Sequence, residues 1–86
     1  MGEATRLDKR AHHAGFLRGT QDYRASGASD EYPNTRDAIR YELFDQGEAF
    51  RLRAAALGSH RLDSFGLGYL SGVESEYWGT RIIFAR

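Results

Sequence analysis

The stretch GFLRG, from Gly15 to Gly19, returns as GYLSG from Gly68 to Gly72. Each copy places an aromatic residue and a leucine between two glycines. Glycine inside a helix costs about 1 kcal/mol relative to alanine, so keeping four of them needs a compensating gain. Glycines four apart let a second helix lie unusually close, by analogy with membrane helices. We therefore expect helix two to cross helix one at the first copy, and a third helix to pack by the same close contact at the second.

A phosphate-binding loop is the other explanation for paired glycines. Such a loop follows a strand and opens a helix, so that free backbone N–H groups face the anion. Neither copy has a strand before it, and the lysine with serine or threonine of a phosphate loop is missing. Helix packing is the better interpretation. Whether the second copy is a partial duplicate of the first helix or an added packing helix stays open.

Hydrophobic residues at spacings of three and four predict an all-α domain of about three helices, followed by a short extended tail. The predicted helices run from about residue 5 to 24, 36 to 57 and 63 to 78, with Thr5 and either Asn34 or Thr35 as N-terminal caps and Gly58 and Gly79 as C-terminal stops. The tail, TRIIFAR, has strand-forming residues but no partner strand in the chain. We expect it to lie against the helices or to pair with another molecule, which would build a homodimer.

Size and composition bound the function. With 86 residues, the chain forms one small domain, and its twelve basic and twelve acidic side chains give a net charge of zero. It has no cysteine, which excludes disulfides, thiolate zinc sites and a cysteine nucleophile. The first ten residues contain no apolar run, so we expect no secretory signal, and no stretch is apolar enough for a membrane span. These features predict a cytoplasmic protein.

Catalytic and metal-binding patterns are weak. His12 and His13 are adjacent, so on a helix they point about 100° apart and do not grip one metal together, and His60 is distant in sequence. No serine lies in a nucleophile-elbow pattern. We therefore expect no metal, no cofactor and no enzymatic activity. The remaining carboxylates, interpreted as solvated helix faces, include Asp45, Glu48, Glu74 and Glu76.

The first helix carries a cluster of cations with aromatic residues among them. Two interpretations stay open: a local patch that faces RNA, and an ordinary mixed surface. The residues of this cluster are Arg6, Lys9, Arg10, Arg18 and Arg24, with Phe16 and Tyr23 nearby.

Residues 9–54 contain small and aromatic residues in a distinctive order. A basic stretch and an alanine come first, followed by glycine, an aromatic and a second glycine. A tyrosine and a proline follow in the loop, and then an aromatic residue with a glycine three positions on. The positions concerned are Ala11, Gly15, Phe16, Gly19, Tyr32, Pro33, Phe44 and Gly47. In this order the segment, about half of the chain, resembles the ribosome modulation factor family.

The resemblance implies a helical pair, at residues 9–54, that binds ribosomal RNA and ribosomal proteins and helps to place ribosomes in a dormant, paired state. Residues 59–86 would then be an additional helix and tail. The resemblance implies that RNA or a partner contacts Lys9, Arg10, Phe16, Arg18, Tyr23, Arg24, Tyr32 and Pro33. The scaffold residues are Ala11, Gly15, Gly19, Phe44, Gly47, Gly68 and Gly72.

A second function stays open beside this one. The same helical scaffold could serve a protein-binding inhibitor or adaptor, such as one encoded by a phage or mobile element, that docks through exposed aromatic residues. The zero net charge favours this alternative, because affinity for nucleic acid depends mainly on neutralising phosphates. The motif favours the ribosomal function.

Overall fold

The computed structural model describes residues 7–27 and 33–85. These residues form three helices, which are α1 (Lys9–Ala25), α2 (Pro33–Leu57) and α3 (His60–Ala85). No strand occurs in the described residues. The predicted all-α class and the three helices are confirmed.

The helices begin at other residues than predicted. Asp8 caps α1, because its carboxylate accepts a hydrogen bond from the backbone N–H of Ala11 at 3.0 Å. The predicted cap, Thr5, lies outside the described residues. Helix α2 begins at Pro33, a residue suited to a first turn, where no N–H is needed. Ser59 opens α3, with its hydroxyl accepting from the N–H of Leu62 at 3.1 Å.

At the C-terminal ends, one stop is confirmed and one is corrected. Gly58 follows α2 with a φ of +66°, the left-handed conformation that glycine tolerates best. Gly79, by contrast, lies inside α3, which continues to Ala85 through the segment predicted to be extended. Since no second strand exists among the described residues, helical hydrogen bonds are the way this segment satisfies its backbone groups. Residues 80–85 therefore offer no strand edge to a second molecule.

Helix α3 lies between the other two helices and contacts both, whereas α1 and α2 scarcely touch. Helices α1 and α3 run parallel, since contacts near their beginnings and near their ends join residues in the same order. The Asp8 backbone N–H donates to the Ser64 hydroxyl at 2.9 Å. Sixteen residues later in α1, Arg24 binds Glu76 of α3 at 2.7 Å.

Helix α2 runs antiparallel to α3. Its beginning meets the end of α3, where the Tyr77 hydroxyl donates to Asp37. Its later part meets the beginning of α3, where Arg51 binds Asp63 at 3.2 Å. The first turns of α1 and α3 and the last turn of α2 therefore share one end of the molecule.

Helix α3 supplies three of the five buried hydrophobic side chains among the described residues, Tyr69, Val73 and Tyr77. Tyr69 and Val73 are fully buried, and Phe50 of α2 packs edge-on against Phe65 and Tyr69 with ring centroids 5.1 and 5.5 Å apart. The Tyr69 hydroxyl donates to Asp22 of α1 at 2.6 Å. Burial, together with this bond, raises the pKa of Tyr69. One tyrosine of α3 thus joins all three helices.

Candidate functional site

The glycines of α1 lie directly against the backbone of α3. A Cβ at Gly15 would lie 2.8 Å from the carbonyl carbon of Phe65, and nearer still to its oxygen. A Cβ at Gly19 would lie 3.1 Å from the carbonyl carbon of Tyr69. The first glycine pair therefore faces α3, and the prediction that helix two crosses helix one there is corrected. Periodicity identified the packed face of helix one, but not which helix covers it.

The glycines of α3 make the reciprocal contacts. A Cβ at Gly68 would lie 2.8 Å from the carbonyl carbon of His12, and a Cβ at Gly72 would lie 3.1 Å from that of Phe16. In every case the glycine meets the carbonyl three residues before a glycine of the facing helix. One α-hydrogen of each glycine thus points at a carbonyl oxygen, the arrangement of Cα–H···O contacts.

This pairing explains the repeat in the sequence. A shift of 53 positions maps Gly15 onto Gly68 and Gly19 onto Gly72, and the same shift maps the contacts of α1 onto those of α3. The two helices are therefore related by an approximate two-fold axis that runs along them. Each helix supplies the groove for the other, so both need the same glycine spacing.

Gly47 of α2 lies against side chains of α3 rather than against its backbone. A Cβ at Gly47 would meet the side chain of Leu70, with Cγ at 2.8 Å, and the ring of Tyr69 at 3.3 Å. Gly66 of α3 faces back toward Gly47, whose carbonyl oxygen a Cβ would approach to 3.2 Å. Phe44, three residues before Gly47, packs against the core. The structure thus places Phe44 and Gly47 on the face of α2 that meets α3.

Two of the predicted cations on α1 are engaged in ion pairs. The Arg18 guanidinium binds Asp22 on its own helix at 3.1 Å. Arg24 donates two hydrogen bonds to Glu76 of α3, at 2.7 and 3.1 Å. Lys9 and Arg10 are exposed, and neither forms an ion pair within the described residues. Arg6, the remaining cation of the predicted cluster, lies outside the described residues.

The predicted aromatic contacts are corrected in one case. Tyr23 is only 4% exposed and belongs to the core cluster, so it presents no face to RNA. Its burial raises the pKa of the Tyr23 hydroxyl. Phe16 is half-buried beside the glycine contacts. Tyr32 lies outside the described residues, and Pro33 is the first residue of α2.

The parallel arrangement creates a basic groove that the sequence did not reveal. Because α1 and α3 begin at the same end, Arg10 and Arg61 lie on either side of an open groove of about 580 Å³. The positive ends of two helix dipoles meet there. Arg61 is highly exposed and forms one loose ion pair, to Asp8 at 3.6 Å. The residues lining this groove are Arg10, Ala11, Ala14, Ser59, Arg61, Leu62 and Phe65.

An aromatic patch surrounds one ion pair at the opposite end. Arg40 of α2 binds Glu74 of α3 through two hydrogen bonds, at 2.6 and 2.8 Å, and the Trp78 indole donates to Glu74 at 3.1 Å. These bonds, led by that from Arg40, lower the pKa of Glu74. Four rings lie within 6 Å of the Arg40 guanidinium carbon, those of Tyr77 (4.5 Å), Phe44 (5.5 Å), Trp78 (5.7 Å) and Tyr41 (5.9 Å). Tyr41 and Trp78 are exposed.

Within residues 7–27 and 33–85, no three histidine, aspartate or glutamate side chains come together in a metal-binding arrangement. In the same part of the chain, no helix combines the length and apolar character needed to cross a membrane.

Comparison with known proteins found no similarity on which to base an assignment. No family model matches the chain, and neither a curated protein nor a solved structure matches it significantly.

Proposed function

We propose that this protein is a small non-catalytic regulator that binds the ribosome or ribosomal RNA and so modulates translation. The observation that supports this most is the basic groove, which Arg10 in the first turn of α1 and Arg61 in the first turn of α3 both line. Lys9 extends the positive surface beside it. Guanidinium groups that line one open groove can each bind a phosphate of a nucleic-acid backbone.

The distribution of ion pairs supports the same proposal despite the zero net charge. Cations that already bind carboxylates, such as Arg18, Arg24 and Arg40, would have to break those bonds to neutralise a phosphate. Lys9 and Arg10 have no such bonds within the described part of the chain. Among the described cations of α1 and α3, those most available for a polyanion are Lys9, Arg10 and Arg61, whose ion pair to Asp8 is long at 3.6 Å, and all three lie at one end of the molecule.

Co-sedimentation with ribosomes across a salt series tests the proposal. We expect binding at low salt that weakens as salt increases, because displaced counterions drive the association. The double variant Arg10→Gln/Arg61→Gln should bind more weakly, and its salt slope should fall by about two, one for each lost phosphate contact. A matched control, Arg18→Gln/Arg24→Gln, loses the same charge from cations outside the groove that are held in shorter ion pairs, at 3.1 and 2.7 Å, and should bind like the parent protein.

Two results would contradict the proposal. One is the absence of ribosome and ribosomal RNA binding at low salt, where electrostatic attachment is strongest. The other is an equal loss of binding in both double variants, which would show that the groove has no special part in it.

The aromatic patch favours a second function, that of an adaptor or inhibitor of another protein. Tryptophan, tyrosine and arginine contribute most of the binding energy at protein interfaces, and Trp78, Tyr41 and Arg40 lie together here. This function predicts a stoichiometric protein partner that is captured equally well after nuclease treatment. Trp78→Ala should reduce that capture at least about tenfold, and Arg10→Gln/Arg61→Gln should leave it unchanged.

A further inference from the structure

The face of α2 that points away from α3 is unusually apolar for a solvent-exposed surface. Among the described residues, the three most exposed large hydrophobic side chains all belong to α2: Tyr41 at 65%, Leu57 at 68% and Leu52 at 73%. Tyr41 and Leu52 share this outer face with three exposed alanines, Ala38, Ala49 and Ala56.

These residues form one continuous stripe. At about 100° per residue, Ala38, Tyr41, Ala49, Leu52 and Ala56 fall within an arc of about 80°, opposite the side of α2 that packs on α3. From first to last they span eighteen positions, about 27 Å of helix. We call these five residues, together with Asp45 in the same arc, the outer stripe.

Charges along the outer stripe change sign from one half to the other. Asp45 lies in the first half of the stripe, whereas Glu42 and Arg53 lie beside its first and second halves, about 20° and 40° outside the arc on the same side. All three are exposed, and none forms an ion pair within the described residues. The other charge near the middle, Glu48, already lies 3.7 Å from Arg51 of its own helix.

We propose that the outer stripe binds the outer stripe of a second copy of this chain, with the two α2 helices antiparallel and the two-fold axis near Ala49. In that orientation the acidic half of each stripe faces the basic half of the other. Glu42 and Asp45 of one copy then lie beside Arg53 of the second copy. Because a two-fold interface repeats each contact, the same charge contacts form a second time with the two copies exchanged. A parallel pairing would instead align like charges.

The side chains on the axis suit close contact between two helices. Ala49 is small, so the helices approach there, and Leu52 of each copy packs beside it. Tyr41 lies toward one end of the stripe, and is brought near the second half of the facing stripe. Burying Tyr41 and Leu52 removes two of the most exposed apolar side chains from water.

The size of the stripe predicts a weak dimer. A single helix face of about 27 Å buries less area than the roughly 800 Å² per partner of a standard interface, so we expect dissociation on dilution. No residue of α2 lines the basic groove, so the outer stripe and the groove are formed by different residues. The dimer is also independent of the ribosomal proposal.

Sedimentation equilibrium of the purified chain over a wide concentration range, with charge-reversal variants, tests this interface. The parent protein should show a reversible equilibrium between monomer and dimer that weakens with salt. Glu42→Lys/Asp45→Lys and Arg53→Glu should each weaken dimerisation about tenfold or more, because each sets like charges against each other. All three residues are exposed, so helix content by circular dichroism should not change.

Mixing the two charge-reversed proteins gives the sharpest result. In the mixed pair every reversed charge again faces its opposite, so we expect a one-to-one heterodimer from two proteins that are separately monomeric. Lys9→Glu/Arg10→Glu serves as a control outside the stripe, because it reverses two charges, as Glu42→Lys/Asp45→Lys does. This control should dimerise like the parent. The proposal is overturned if the parent is monomeric at every concentration, if the variants dimerise as well as the parent, or if mixing restores nothing.

Discussion

The glycines of the two repeats differ from the other glycines of this chain in what a side chain would meet. A methyl group on Gly15 or Gly68 would collide with a backbone carbonyl, which no rotamer change relieves. One on Gly47 would meet the end of the Leu70 side chain, which can turn away in part. One on Gly79 would meet nothing within 4 Å. Replacing glycine with alanine is therefore expected to have a different effect on stability at each of these three kinds of position.

We expect Gly15→Ala and Gly68→Ala each to lower the free energy of unfolding by about 3 kcal/mol, because the helices must move apart. Gly47→Ala should cost about 1 kcal/mol. Gly79→Ala, the control, should add about 0.5–1 kcal/mol, because alanine favours the helix and nothing obstructs it. Urea denaturation measures all four changes. Equal effects at Gly15 and Gly79 would mean that α1 and α3 do not approach through their glycines.

The sequence predicted correctly that three helices form, but it predicted less well where each helix ends and which helix it packs against. The stripes of apolar residues located all three helices. The extended conformation predicted after Gly79 was wrong, because α3 continues to Ala85. The β-branched and aromatic residues of this segment favour a strand, but a strand needs a partner strand, and the described part of the chain has none. Hydrophobic periodicity also does not indicate whether two helices run parallel or antiparallel. The identical spacing of the two glycine pairs was nevertheless a signal in the sequence that α1 and α3 pack against each other.

The ion pair between Arg40 and Glu74 joins α2 to α3, and it makes part of the stability depend on pH. Because Arg40 lowers the pKa of Glu74, the native state holds the carboxylate in its charged form more strongly than the unfolded chain does. This contribution is complete above the usual glutamate pKa, near 4.5, and is lost as the pH falls through the lowered value. Stability should decrease in that acidic range.

Glu74→Gln should remove this pH dependence. We expect the variant to be less stable than the parent by about 1–2 kcal/mol at neutral pH, a modest figure because both side chains are partly exposed. The difference should narrow steadily below pH 4.5. Thermal unfolding at a series of pH values measures it, with Glu42→Gln, an exposed carboxylate outside the pair, as the control. A difference that stays constant with pH would show that the charge of Glu74 does not act through Arg40.

At the scale of the whole molecule, function depends on which ends of the helices come together. The sequence pointed to the first helix as the basic element, and Lys9 and Arg10 are exposed there. The sequence did not indicate that Arg61 belongs to the same basic surface, because Arg61 lines the groove with Arg10 only when α1 and α3 run parallel. The prediction that Tyr23 lies on the surface was also wrong, because its side chain is buried in the core.

The proposed function requires that α1 and α3 run parallel, so that their first turns share one end of the molecule. The chain has no cysteine, so introduced pairs carry spin labels at chosen sites only. Distances are measured by pulsed electron paramagnetic resonance in Arg10→Cys/Arg61→Cys and in Gln21→Cys/Arg61→Cys, all at exposed positions. Since eleven residues of helix separate positions 10 and 21, about 16 Å, we expect the first distance to be clearly the shorter. A shorter distance from position 21 would mean that the helices are antiparallel, and would contradict the parallel arrangement.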